Sequence, residues 1–135
     1  GQWGINHDNH GRLYYNENWF GIKADQLLPN TLMRNPNYLL GRGHSTQISY
    51  RDKLYPARIT LGANRGGEGD VNKNGHLKAA TGAAGAMAYR GDQFPQEFRD
   101  TALLCEPVAN LIRNWPLYTS DAADQYNDSS LVCAI

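Results

Sequence analysis

Turn-forming residues interrupt this chain so often that no long helix can be drawn through it. Fourteen glycines and six prolines, with many Asn and Asp between them, cut the apolar residues into stretches of strand length. The fold class that follows is all-β. The "DNHG" turn is followed by "GRLYY", which pairs with "QWGIN" as a hairpin whose turn is made by Asp8 and Gly11. Further strands are expected at 45–50, 54–61, 84–91, 101–107 and 110–115. Residues 24–40 contain Pro29 and Pro36, leave room for at most a short helical turn, and read as an irregular connection. The stretch "NRGGEGDVNKNGH", 64–76, is a polar Gly-rich loop expected on the surface. Short strands separated by long polar excursions fit part of a β-propeller or a sandwich.

A chain of 135 residues makes one modest domain. Thirteen basic residues balance thirteen acidic ones, so no global field draws the chain to nucleic acid or to an anionic membrane. No apolar run approaches the roughly 20 residues that a membrane-crossing helix needs. The N-terminus has neither an initiator Met nor a leader pattern, so the segment is expected to start inside a longer protein. Cys105 and Cys133 form neither a CxxC zinc pattern nor a CxxCH haem attachment.

The composition changes at Leu117. Residues 117–135 hold three Asp and no Lys or Arg, without alternation, and "LYTSDAAD" reads as one translation frame of a transposase adapter used in sequencing libraries. The expected division is therefore a native domain over 1–116 and a non-native, disordered tail over 117–135.

Within the native part, "GAMAYRGDQFPQEFRDTALLCEPVANLIRNW" resembles the glucose/sorbosone dehydrogenase type of β-propeller, related to the soluble quinoprotein glucose dehydrogenases. The positions that carry the resemblance are Tyr89, Arg90, Gly91, Phe94, Pro95, Phe98, Leu103, Leu104 and Arg113. The stretches "DNHGRLYYNEN", "LMRNPNY", "YPARIT" and "NRG" are similar, in that order, to an environmental-bacterial branch often fused to helical repeats and a c-type cytochrome. This chain departs from its relatives at Ala84, where they often carry Cys, so a disulfide to Cys105 is not expected. Its length also falls short of six blades at roughly 40 to 45 residues each. The resemblance thus implies about two blades, with insertions, of a six-bladed parent.

What the resemblance implies about function is a periplasmic dehydrogenase that oxidises a sugar or alcohol and passes electrons to a c-type cytochrome in the same or a separate chain. Its cofactors would be pyrroloquinoline quinone and calcium, and the fragment alone would be inactive. Arg90 would meet a quinone carboxylate, which a guanidinium fork suits; the alternative is a surface ion pair with Asp92 or Glu97. Arg34 and Asn35 form an Arg-Asn-Pro triplet of a kind that lies by the cofactor in such propellers, or simply a turn. Asn64 and Arg65, before two glycines, are candidates for an anion-binding loop. Asp70, Asn72 and Asn74 match the first half of a calcium loop, but Thr81 stands where the bidentate Glu belongs, and turn chemistry is the alternative.

Other polar groups stay open. The relatives use a His base, but none aligns here, so the catalytic residue is unknown. His7 and His10 read as a polar hairpin tip, and Glu106 either faces a propeller mouth or caps a strand. Trp3, Trp19, Tyr14 and Tyr15 could offer a carbohydrate-stacking surface or join the core. Only one of Tyr14 and Tyr15 can face inward, because neighbouring strand positions point to opposite sides. A second class of function is a non-catalytic platform that binds polysaccharide or a partner protein.

Overall fold

In "LYYNE", Tyr14 and Asn16 are buried while Leu13, Tyr15 and Glu17 are half-exposed. That period of two is the mark of a strand with one face turned to a core. The computed structural model describes residues 3–18, 20–31, 34–37, 43–49, 54, 71–117 and 133–134. These form two four-stranded antiparallel sheets, each laid out in chain order as an open meander. The first contains β1 (Ile5–His7), β2 (Leu13–Glu17), β3 (Phe20–Ala24) and β4 (Thr46–Gln47). The second contains β5 (Ala84–Ala88), β6 (Thr101–Glu106), β7 (Leu111–Pro116) and β8 (Cys133–Ala134). The described helical structure is confined to short 3-10 turns such as Gln96–Phe98 and Pro107–Ala109.

The expected hairpin is present, with Ile5 opposite Tyr15 and His7 opposite Leu13. Strands also fall within 45–50, 84–91 and 101–107, and β7 overlaps the expected 110–115 and runs one residue past it; of 54–61 only Leu54 lies among the described residues. β3 is an addition to the sequence reading. Its Ile22 and Ala24 turn inward beside Asn16 and Tyr14, and a bulge between Asn16 and Glu17 lets the strand follow β2 so closely. β8 lies in the stretch set apart by composition, and its residues pair with Leu111 and Ile112. Of the two tyrosines, Tyr14 is in the core and Tyr15 is half-exposed, as the pleat requires.

The sheets meet through small residues. Tyr14, Ile22 and Ala24 of the first sheet pack against Ala86, Ala88, Ala102 and Leu104 of the second, with Ala83 between them. A satellite core of Leu54, Leu77, Ala80, Ala109 and Leu111 lies under the second sheet's far end. Alanines on β5 allow an approach so close that two glycines are needed beside it. A Cβ on Gly4 would sit 2.9 Å from the Gly85 Cα, and Gly85 itself has φ +64° at the β5 bulge.

Backbone and side chain then tie the joint. Gly85 N–H donates to Trp3 O at 3.1 Å and Ala83 N–H to Asn18 O at 3.1 Å. Asn16, with no exposed surface, donates Nδ2 to Ala83 O at 2.6 Å and accepts Ala86 N–H at Oδ1 at 3.4 Å. One buried amide therefore serves a strand edge of the neighbouring sheet in both hydrogen-bonding senses. Truncating it leaves a buried carbonyl and a buried amide without partners. Asn16→Ala is expected to lower stability by about 2–3 kcal/mol, read from urea or guanidinium unfolding. A loss within about 0.5 kcal/mol would show that the joint does not depend on this side chain.

Candidate functional site

The connection from β1 to β2 is built around one carboxylate. Asp8 is buried, and its Oδ1 accepts the backbone N–H of His10 and of Arg12, each at 2.9 Å. Its Oδ2 accepts Arg12 Nε at 2.7 Å and Tyr14 OH at 3.2 Å. Gly11 closes the turn with φ +79° and an N–H bond to Asp8 O. An Asx-type turn followed by a charge-assisted pair is the local reason this hairpin forms where it does.

β3 ends at the same edge of the sheet. Asp25, whose N–H bonds Leu13 O, accepts Tyr15 OH at 3.0 Å and Ser45 N–H at 2.9 Å on one oxygen. His44 Nδ1 lies 3.3 Å from the same oxygen. Burial first, then the facing Asp25 carboxylate, push the Tyr15 phenol above its ordinary value, against a hydrogen bond to Ser45 that lowers it.

The second sheet brings β5 and β6 to this end as well. Tyr89 N–H bonds Thr101 O and Leu117 N–H bonds Asp100 O, with Asp100 at φ +57°. The chain between them packs on itself. The Tyr89 ring covers Gly91, where a Cβ would come within 2.8 Å of the Tyr89 hydroxyl oxygen. That hydroxyl accepts Phe94 N–H at 2.8 Å. Tyr89 and Phe94 stack with centroids 4.9 Å apart, and Phe98 tilts against Phe94 at 5.3 Å. Pro95 leads into the 3-10 turn Gln96–Phe98, and Thr101 Oγ1 donates to Phe98 O at 2.6 Å. Arg90 thus projects from a backbone fixed on both sides.

Between the two sheets a cleft of about 40 Å³ is lined by Asp8, Asn9, His10, Ala88, Tyr89, Arg90, Asp100 and Leu117. That volume holds one or two waters, or a single functional group such as a carboxylate. Arg90 is exposed and makes no ion pair among the described residues, so the alternative pairing with Asp92 or Glu97 is not formed; Asp92 is instead hydrogen-bonded by Gln93. His7, His10 and His44 all lie at this end, whereas His76 belongs to the separate turn described below. The cleft lining can therefore present the Arg90 guanidinium and the His10 imidazole to a ligand.

The other candidate residues are distributed elsewhere. Arg34 and Asn35 are exposed in the connection between β3 and β4, outside the cleft lining, and Asn35 Oδ1 accepts Asn37 N–H at 3.0 Å. Asn64, Arg65 and Asp70 lie outside the described residues. Asn72 and Asn74 sit in an exposed turn closed by a Val71–Leu77 bridge. There Asn72 Oδ1 accepts the N–H of Asn74 and of His76, at 2.9 and 3.0 Å. No group of three or more His, Cys, Asp or Glu side chains able to hold a metal occurs among the described residues. Trp3 is exposed, and Trp19 lies outside the described residues.

Glu106 faces neither a mouth nor solvent. It is fully buried at the opposite end of the second sheet, where its carboxylate accepts Gly82 N–H at 3.2 and 3.3 Å. Burial pushes its carboxyl up to about 7, against the N–H groups of Gly82, Thr81 and Val108 and the charge of Arg113.

The two kinds of charged residue at the rim should respond differently to mutation. Asp8→Ala takes a shared acceptor from Arg12, Tyr14 and two backbone amides, and is expected to cost about 1–3 kcal/mol. Arg90→Ala should change stability by no more than about 0.5 kcal/mol. Equilibrium denaturation of both variants checks this; equal losses would mean that Arg90 is structural.

No curated protein and no solved structure matches the chain. A family model does, and its match continues past the composition break at Leu117. The chain belongs to the family described as a domain of unknown function, DUF7133, whose model matches residues 1–130.

Proposed function

We propose that this chain supplies two neighbouring blades to the propeller of a quinoprotein-like dehydrogenase that oxidises a sugar or alcohol and hands the electrons to a c-type cytochrome. Two consecutive four-stranded meanders, packed through an Ala- and Gly-lined joint, are the arrangement that adjacent blades require. The observation that carries the functional part is Arg90, exposed, without an ion pair, on a fixed backbone beside a cleft of functional-group size.

In this reading Arg90 would hold a carboxylate of pyrroloquinoline quinone through its charge and its guanidinium donors. The quinone, when bound, supplies the two-electron oxidation. His10 lines the same cleft and would orient the bound group, while the Asp100 carboxylate, also in the lining, would restrict where an anion can sit. Arg34 and Asn35 lie outside the cleft lining, and would reach the quinone only beyond it; Asn64 and Arg65 stay candidates outside the described residues. Calcium would draw on Asn72 and Asn74, with Asp70, outside the described residues, as the carboxylate. Because Asn72 Oδ1 already serves the turn's own amides, Asn74 and Asp70 would carry more of that ligation. The location is extracytoplasmic; no helix among the described residues is long and apolar enough to cross a membrane.

A second reading is a non-catalytic platform for polysaccharide or a protein partner. It is favoured by the half-exposed Phe94 in the Tyr89–Phe94–Phe98 cluster beside the cleft. The readings separate in one experiment. Full-length protein supplied with calcium and pyrroloquinoline quinone should reduce an artificial electron acceptor in the presence of sugars or alcohols. Arg90→Gln should weaken quinone binding roughly tenfold, the equivalent of about 1.4 kcal/mol. Absence of quinone-dependent dye reduction across a panel of such substrates would overturn the catalytic reading.

A further inference from the structure

Residues 81–86, which lead into and begin β5, are gripped from two directions. From the first sheet, Asn18 O holds Ala83 N–H, Trp3 O holds Gly85 N–H, and Asn16 holds Ala83 O and Ala86 N–H. From the second, Glu106 holds Gly82 N–H, and the N–H groups of Thr81 and Val108 also point to its carboxylate. Gly82 is pressed close enough that a Cβ there would lie 2.8 Å from Val108 Cγ2 and 3.4 Å from Glu106 Oε1. This one buried carboxyl therefore fastens the 81–82 segment to the Pro107–Ala109 turn with no room for water between them.

We propose that Glu106 is a proton-controlled latch: neutral, it holds residues 81–82 against the Pro107–Ala109 turn, and ionised, it favours their release into water. The groups around it make this reversible. Residues 81–82 and the Pro107–Ala109 turn offer backbone amides and no titratable side chain. From β7, Arg113 is the charged group acting on it among the described residues. Leu111, opposite Glu106 on β7, is apolar. A single cation and three amides face the cost of keeping a carboxylate out of water, and that cost is the larger influence.

The sign follows from the linkage of protonation to opening. In the closed latch the carboxyl titrates near 7, and in the open one near its ordinary 4.5. The holding contribution is complete below about 4.5, is lost as pH rises toward 7, and changes no further above it. This device is independent of any catalytic activity.

Amide exchange on the 135-residue chain, corrected for intrinsic base catalysis and followed from pH 4.5 to 8, tests it. The opening equilibrium at Gly82 should rise by roughly 150-fold over that range and level off toward its upper end. The Tyr89 amide, bonded to Thr101 at the other end of β5, should not share that rise. Glu106→Gln keeps an acceptor for Gly82 and should abolish the pH dependence. A flat Gly82 profile in the wild type, a profile unchanged in Glu106→Gln, or an equal rise at Tyr89 would overturn the latch. Should the variant not fold, the wild-type Glu106 carboxyl carbon shift decides: a midpoint near 7 supports the latch and one near 4.5 refutes it.

Discussion

The grip of Asn16 on β5 is possible only because nothing larger than a methyl group stands between the sheets there. Ala83, Ala86 and Ala88 leave the β5 backbone accessible, Gly4 removes a Cβ that would strike it, and Gly85 takes the positive φ at the β5 bulge. A buried amide that donates to one backbone group and accepts from another is fully committed in a place where water cannot replace either bond. The cost of losing it exceeds what one side chain normally contributes, since both ends of each bond are buried. Register across the joint follows: a slip of β5 by one residue would turn Ala86 and Ala88 outward and bring Met87 into a space sized for alanine.

That joint also decides where a ligand could bind. β1, β2 and β5 are brought together along their lengths, so the turns at one end of both sheets share a single rim, with Asp8, His10, Arg90 and Asp100 around one cleft. The charges there divide by environment. Asp8 is consumed by its own turn, since Arg12, Tyr14 and two amides saturate it, and Asp25 is similarly engaged by Tyr15, Ser45 and His44. Arg90 has no such partner among the described residues. A guanidinium left exposed on a braced loop is disposed to meet an anion, which is why a small cleft there matters more than its volume alone would indicate.

The parts of the fold visible in the sequence are those governed by local rules. The Asp8–Gly11 turn, the alternation through Tyr14 and Asn16, and the strands after the punctuated 64–76 stretch follow from turn chemistry and a period of two. β3 is not legible in the sequence because "FGIKA" has Gly21 as its second residue, and a glycine in a strand weakens its propensity. Its reason lies 27 residues along the chain, where Ser49 Oγ accepts Ile22 N–H at 2.6 Å and occupies the space that a side chain at 21 would need. With β3 unread, Asp25 and His44 could not be recognised as neighbours. Glu106 was noticed but not placed, because "CEP" fixes neither the face of the strand nor the approach of Gly82 from 24 residues away. Contacts of that range depend on the assembled joint and leave no periodic trace.

β5 runs between the two ends, and the order of its restraints limits what could pass along it. Glu106 acts at Gly82, Asn16 at Ala83 and Ala86, and the rim begins at Tyr89. Release at Gly82 leaves the Asn16 contacts standing, so an opening that starts at Glu106 halts at Ala83 while the joint holds. The rim would then keep its geometry across the pH range over which Glu106 ionises. Loss of the Asn16 grip reverses that isolation: residues 81–86 would be held from the first sheet only by the backbone bonds of Ala83 and Gly85. Under that condition the ionisation of Glu106 would reach the strand that carries Arg90. Asn16 therefore insulates the candidate site from the buried acid as much as it fastens the sheets together.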